Sequence, residues 1–318
     1  MIRVGVVNID TSHPNAFAGK MLDPVNELDA CYVGIYNDGF RGDDEVQGFK
    51  EHFNLEKHCA TLEELAEMVD IGFIQGCNWD THLNYVDPFI KLGKPVFIDK
   101  PIVGSMPDLK KLKALTDAGA VILGSSSARY AQEVVDFLAI PVEERGEIVS
   151  IFGSCGVDEF NYGVHIVEII GGLMGTGAKD CRFCGKATVG GKLCETFLAT
   201  YENGVSATYS LFTGTWQPFT VTIQTTKKTY TFTVDTSRIY VALLKRIMEY
   251  MHTGKNNLAT IEELSETIKI MLAGKLSRDN GGKVVALAEI PEDYEGYDGA
   301  LFEKGYAAAA NKMYLYNK

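Results

Sequence analysis

Residues 1–17, MIRVGVVNIDTSHPNAF, decide how the chain is read. Ile2 to Val7 is a short apolar, β-branched run, as expected of a buried parallel strand. It stops at a polar knot, Asn8 to His13. Pro14 follows, where a first helical turn tolerates a missing N–H, with Ser12 or His13 as the cap. Strand, turn and helix together open a β/α unit, and the unit recurs as far as residue 124. Further strands are expected at 31–36, 71–75, 96–99 and 120–124, and helices at 14–28, 43–53, 82–92 and 107–118. Thr61 with Glu64 marks a capped helix start. This alternation predicts a parallel sheet covered by helices on both faces.

The second half has a different texture. Residues 147–157, 180–190, 194–212 and 218–235 are rich in Val, Thr, Tyr and Phe, and turn signals at Glu202-Asn203-Gly204 and Lys227-Lys228 divide them. Helices are expected at about 160–174, 238–253 and 261–277. The fold class is therefore an α/β domain, residues 1–124, followed by an α+β domain, residues 125–318, with a large open, mostly antiparallel sheet. In its strands Val221 and Ile223 alternate with Thr220 and Thr222, and Tyr230 and Phe232 with Thr229, Thr231 and Thr233. The apolar face belongs on the domain's own helices. The threonine face suits either solvent or a partner.

Composition narrows the function classes. The chain has 318 residues, 42 acidic and 30 basic, and a net charge of −12. That balance argues against a nucleic-acid surface. No run approaches the roughly 18 apolar residues of a membrane span, and the N-terminus does not read as a signal peptide. Seven scattered cysteines then read as reduced thiols of a cytoplasmic protein. Cys181-Arg182-Phe183-Cys184 lacks the second ligand pair of a zinc site and reads as strand.

Open parallel sheets bind ligands at the carboxyl ends of their strands. The knot at 8–13, Asn37-Asp38, Gly76-Cys77-Asn78 and Asp99-Lys100-Pro101 all fall on that edge. Asp38 suits a ribose hydroxyl. Lys100 ends a buried strand, where desolvation lowers a lysine's pKa toward the range useful for proton transfer. On a helix over 160–174, Asn161, His165 and Glu168 fall within about 60° of one another, a polar stripe on an otherwise apolar helix.

In their order along the chain these segments resemble the Gfo/Idh/MocA family of NAD(P)-dependent oxidoreductases. CNWDTHLNYVDPFIKLGKPVFIDKPI, residues 77–102, is similar to that family's stretch ending in Glu-Lys-Pro, with Asp99 for the glutamate. Ala128-Arg129-Tyr130, NYGVHIVE at 161–168 and the segment from His252 through Ser277-Arg278 resemble its later motifs. The resemblance implies a Rossmann domain binding NAD or NADP, and a second domain holding a sugar- or polyol-like substrate. It implies a cofactor contacted by Asn8, Asp10, Thr11, Ser12, His13, Asn37, Asp38, Asn78, His82 and Lys100. Lys100 and His165, with Asn161 orienting a hydroxyl, would be catalytic, and Arg129, Tyr162 and Glu168 would line the substrate. It also tips the threonine face toward a homo-oligomer interface, in a dimer or tetramer.

Two departures stand out. Asn161 replaces a carboxylate, and an amide cannot be the base. Asn8, Asp10 and His13 replace all three glycines of G-x-G-x-x-G, so Asp10 is expected to crowd and repel the pyrophosphate. Asp38 favours NAD, although Arg41 beside it leaves NADP open. The expected function is hydride transfer between a nicotinamide and a sugar-like substrate; the alternative is a catalytically silent sugar or nucleotide sensor on the same fold.

Overall fold

A computed structural model describes residues 1–124 and 126–310. The first sheet is built from β1 (Ile2–Val7), β2 (Ala30–Tyr36), β3 (Lys57–His58), β4 (Ile71–Ile74), β5 (Val96–Ile98) and β6 (Ile122–Gly124). All its pairings are parallel, in the order β3-β2-β1-β4-β5-β6. The connections carry α1 (His13–Leu22), α2 (Asp43–His52), α3 (Leu62–Met68), α4 (Asp87–Lys91) and α5 (Met106–Asp117). Chain order reverses beside β1, which opens a crevice at the carboxyl ends of β1 and β4.

Two of the expected helices are shorter. The run over 14–28 ends at Leu22, because Pro24 pushes Asp23 out of the helical region, to φ −75° and ψ 111°. The run over 82–92 splits into a 3₁₀ turn at His82–Asn84 and then α4. Thr61 does cap α3, accepting from the Glu64 N–H.

After α6 (Gln132–Ala139) and α7 (Val142–Arg145) come β7 (Ile148–Val157), α8 (Gly163–Met174), β8 (Ala178–Val189), β9 (Lys192–Tyr201), β10 (Ser206–Thr213), β11 (Thr220–Thr225) and β12 (Thr229–Thr233). The chain closes with α9 (Ile239–Thr253), α10 (Ile261–Asp279), β13 (Val285–Ala286) and α11 (Gly299–Ala309). The second sheet runs β12-β11-β7-β10-β9-β8-β13 and is antiparallel except between β7 and β10. Val221 and Ile223 face inward and are fully buried. Thr222 and Thr231 meet on the opposite face at 3.0 Å. Cys181 points into the core while Cys184 is exposed, so the pair does not converge.

The halves share their cores. Leu243, Leu244, Ile247 and Met248 of α9 cluster with Phe17 and Met21 of α1. This packing brings α9 alongside the start of α1, and with it one wall of the cavity described next. No helix among the described residues is long and apolar enough to cross a membrane.

Candidate active site

A cavity of about 390 Å³ lies where the carboxyl edge of the first sheet meets the second domain. Lys100 enters from the end of β5. Its Nζ donates to Asn161 Oδ1 at 2.8 Å and to Asn161 O at 3.1 Å. Asn161 lies not on α8 but in the turn before it, where Asp158 Oδ1 accepts from the Phe160 and Tyr162 N–H groups. Burial lowers the pKa of Lys100, with Asp99 and Asp158 opposing. Asp158 was not singled out from the sequence. Its one local signal is an acid three residues before Asn161.

His165 enters from α8. Ser126 Oγ hydrogen-bonds its Nδ1 at 2.5 Å and accepts from the Ala128 N–H. Phe219 packs against the ring, with centroids 5.1 Å apart. Burial holds the His165 pKa well below 6.5, and the positive charge of Lys100 adds to the effect. The imidazole is therefore neutral at pH 7.

His13 enters from the first turn of α1. Its Nδ1 meets Asp99 Oδ2 at 2.7 Å. Thr11 and Ser12 line the same cavity, as does Tyr162. The remaining walls are Trp216–Phe219 from the β10–β11 loop, Tyr240 from α9 and Tyr306 from α11. They come from loops and helices far apart in sequence and carry no motif.

Several residues expected at the site lie elsewhere. Arg129 and Glu168 pair at 3.2 Å, both about 5% exposed, and Arg129 also binds Glu263. This buried network ties the turn at 127–130 to α8 and α10, and each charge is spent on its neighbour. The polar stripe therefore divides: His165 faces the cavity and Glu168 faces Arg129. His82 is fully buried, with its ring nitrogens at 3.2 Å from Ile102 O and 3.0 Å from Gly76 O. It anchors the loop after β4 and offers a cofactor no surface.

The opening knot is a structural clasp. Asn8 takes a left-handed φ of 63°, which asparagine tolerates. Its Oδ1 accepts from the Asp38 and Gly39 N–H groups. Asn37 Oδ1 accepts from the Ile9 N–H. Asp10 does not project at a pyrophosphate. It is 1% exposed, and Oδ2 accepts from the Cys77 N–H at 3.1 Å. A side chain at residue 39 would place a Cβ 2.2 Å from Asp10 Oδ1, so Gly39 is required there. Arg41, 4% exposed, donates to Asp10 O and pairs with Glu45 at 2.9 Å.

The acidic, tyrosine-rich tail now has a place, up to Ala310; residues beyond it lie outside those described. Asp80 Oδ2 accepts from the Gly299 N–H at the start of α11, and Phe302 packs on Trp79. Asn78 Nδ2 donates to Glu303 Oε2 at 3.0 Å. Tyr306 meets the Phe40 ring edge-on. Helix α11 thus lies over the carboxyl ends of β1, β2 and β4.

For a dinucleotide the chain offers two fitting contacts. Asp38 is exposed at the end of β2. Ser12, at the N-cap of α1, is also exposed and makes no side-chain cap bond, while Thr11 Oγ1 accepts from the His13 N–H. Residues 15–126 match the Gfo/Idh/MocA family model, described as an oxidoreductase family with an NAD-binding Rossmann fold. The first domain is a Gfo/Idh/MocA Rossmann domain. Solved structures share the fold across both halves of the chain. A probable dehydrogenase from Thermotoga maritima superposes with TM-score 0.77 at 14% identity, over 91% of this chain and 100% of that one. A putative NADPH-dependent oxidoreductase from Desulfitobacterium hafniense gives 0.78 at 17%, over 91% and 98%. Scyllo-inositol dehydrogenase from Lactobacillus casei, solved with NAD(H) and scyllo-inositol, gives 0.75 at 12%, over 91% and 99%. No curated protein matches the chain.

Proposed function

We propose that the protein is a nicotinamide-dependent oxidoreductase acting on a carbinol carbon of a sugar- or polyol-like substrate. The observation that carries this reading is the convergence of Lys100, Asn161 and His165 in one cavity beside the cofactor edge. Asp38 and the first turn of α1 would hold the dinucleotide, which supplies or accepts the hydride when bound. Arg41 is buried and spent on Asp10 and Glu45, so nothing there offsets the repulsion of a 2′-phosphate by Asp38, and NAD is the favoured cofactor.

The chain's own part is proton handling and orientation. Lys100 has three N–H donors and spends two on Asn161, so one remains to hold the reacting oxygen. Neutral His165 accepts the hydroxyl proton in the oxidation direction. Asn161 fixes Lys100 and presents its amide to a neighbouring hydroxyl. The aromatic walls, Tyr162, Trp216 and Tyr240, suit the apolar faces of a sugar ring. Because α11 lies over the same strand ends, it and the adenosine half of a dinucleotide compete for that edge. The comparisons lend no support to a silent sensor.

The Lactobacillus casei structure makes cyclic polyols the first substrates to try. Reduction of NAD or NADP would be followed by absorbance with scyllo-inositol, myo-inositol and a panel of aldoses. Turnover with at least one, faster with NAD, is expected. Failure to bind either dinucleotide at millimolar concentration would sink the reading.

A further inference from the structure

The cavity holds one more proton-handling group than hydride transfer uses. His13 stands where the family's third glycine would be, and its imidazole is built in rather than left at the surface. Asp99 fixes one side of the ring, with Nδ1 to Oδ2 at 2.7 Å. Asp99 is itself held. Its Oδ1 accepts from the Lys100 N–H at 2.8 Å, and Gln75 Nε2 donates to Oδ2 at 3.4 Å. Tyr32 donates to Gln75 Oε1 at 2.5 Å behind it. Phe17 stacks on the imidazole, with an interplanar angle of 10°, and Tyr240 meets it edge-on.

A carboxylate only accepts, so Asp99 requires the proton of His13 on Nδ1 and leaves the Nε2 lone pair as the free base. Burial, the largest single influence, would raise the pKa of Asp99, but His13 and Lys100 together outweigh it and hold the acid at about 2. The carboxylate therefore stays ionised and can stabilise an imidazolium, the role of the acid in a catalytic triad. His165 differs. Its Nδ1 partner is a hydroxyl, which fixes no tautomer and gives no charge to offset a captured proton.

We propose that His13, fixed by Asp99, is a second base of this cavity, and that it removes a proton from the carbon next to the carbonyl of a bound keto-polyol. The inference rests on the reading of the cavity as a sugar or polyol site. The C–H bond breaks and its proton goes to His13 Nε2. The bonding pair forms the C=C bond of an enolate, whose oxygen takes the charge beside the ammonium of Lys100. Return of a proton from Nε2 to the same carbon restores the ketone. The cycle is redox-neutral and needs no nicotinamide. Because His13 is fixed on one face of that carbon, the proton returns to the face it left, and the activity is α-proton exchange in keto-polyols with retention.

The test uses the full chain without cofactor and the monoketone of inositol as probe. Saturation-transfer NMR first records whether the ketone binds. Proton NMR in deuterated buffer then follows loss of the signals next to the carbonyl. We expect exchange at least tenfold above a protein-free blank. His13→Gln should lose at least tenfold of it while still showing saturation transfer, and Asp99→Asn should fall between. Binding without exchange in the wild type would overturn the proposal. So would exchange at the wild-type rate in a folded His13→Gln. Absence of binding would sink the polyol reading itself, and this inference with it.

Discussion

Replacing Asp10 by Asn should make the protein more stable, although Asp10 stands at the centre of the opening clasp. Its carboxylate is 1% exposed. Oδ2 has the Cys77 N–H, but Oδ1 has no hydrogen-bond partner. Ligand-type atoms of Asp10, Cys77 and Glu303 lie within 4.8 Å of one another, and the charge of Glu303 acts on Asp10 more strongly than that of Arg41. Burial, with Glu303 adding to it and the Cys77 N–H opposing, raises the Asp10 pKa from 3.8 to about 6. A carboxyl that binds its proton more tightly when folded contributes stability at low pH, and that contribution is lost as pH rises through the folded value. The difference between 3.8 and about 6 corresponds to about 3 kcal/mol, lost mostly between about pH 4 and pH 6. In Asp10→Asn the amide oxygen keeps the Cys77 bond, and no buried charge is left to face Glu303. The variant should match the wild type near pH 4 and exceed it by about 2–3 kcal/mol at pH 8. For a chain of this size that is roughly 5 °C or more in Tm. Thermal and urea unfolding at several pH values would read it. A gap that does not change with pH, or a wild type more stable at pH 8, would refute the reasoning by showing that the clasp requires an ionised acid.

Other consequences can be checked separately. Lys100→Met should reduce turnover on any substrate the parent oxidises by about a hundredfold or more. Its cost in unfolding free energy should be no more than about 1–2 kcal/mol, since it removes two hydrogen bonds from a strand end; wild-type activity would remove Lys100 from the chemistry. Phe302→Asp should loosen α11 from Trp79 and tighten NADH binding several-fold in a fluorescence titration, whereas unchanged affinity would show that α11 and the dinucleotide do not compete. Phe152 is 43% exposed on the outward face of β7, on the side of the sheet that carries the threonines. Phe152→Glu should convert an oligomer to monomer in sedimentation, and a monomeric wild type at micromolar concentration would end the interface reading.

The fold was legible because its signal is local and repeated. Each parallel strand is a short apolar run closed by polar residues, and the period changes where the second sheet begins. The errors sit where one residue overrides a pattern. Pro24 ends α1 early because it constrains Asp23, whatever the apolar spacing that follows. The helix expected from 160 starts at Gly163 because Asp158 binds two backbone N–H groups and holds a turn instead.

The site was legible in part, and the dividing line is whether a residue's partner is near in sequence. Lys100 was placed at the cavity because it closes β5 at a predictable edge, and Asn161 by a helical spacing that the structure does not keep, although the two meet at 2.8 Å. Glu168 was misplaced because the helical spacing that groups it with His165 says nothing of Arg129, 39 residues away in the chain. The opening knot shows the limit most clearly. Read against glycines, Asp10 is a charge aimed at a phosphate and His13 a contact to the cofactor. Their actual neighbours, Cys77 and Asp99, lie 67 and 86 residues on. Those neighbours turn the first into a buried clasp and the second into an oriented base. What replaced the glycines is therefore not a weakened copy of their function. Asn8 keeps the left-handed turn, Asp10 ties the strand ends together, and His13 brings a fixed imidazole into the cavity.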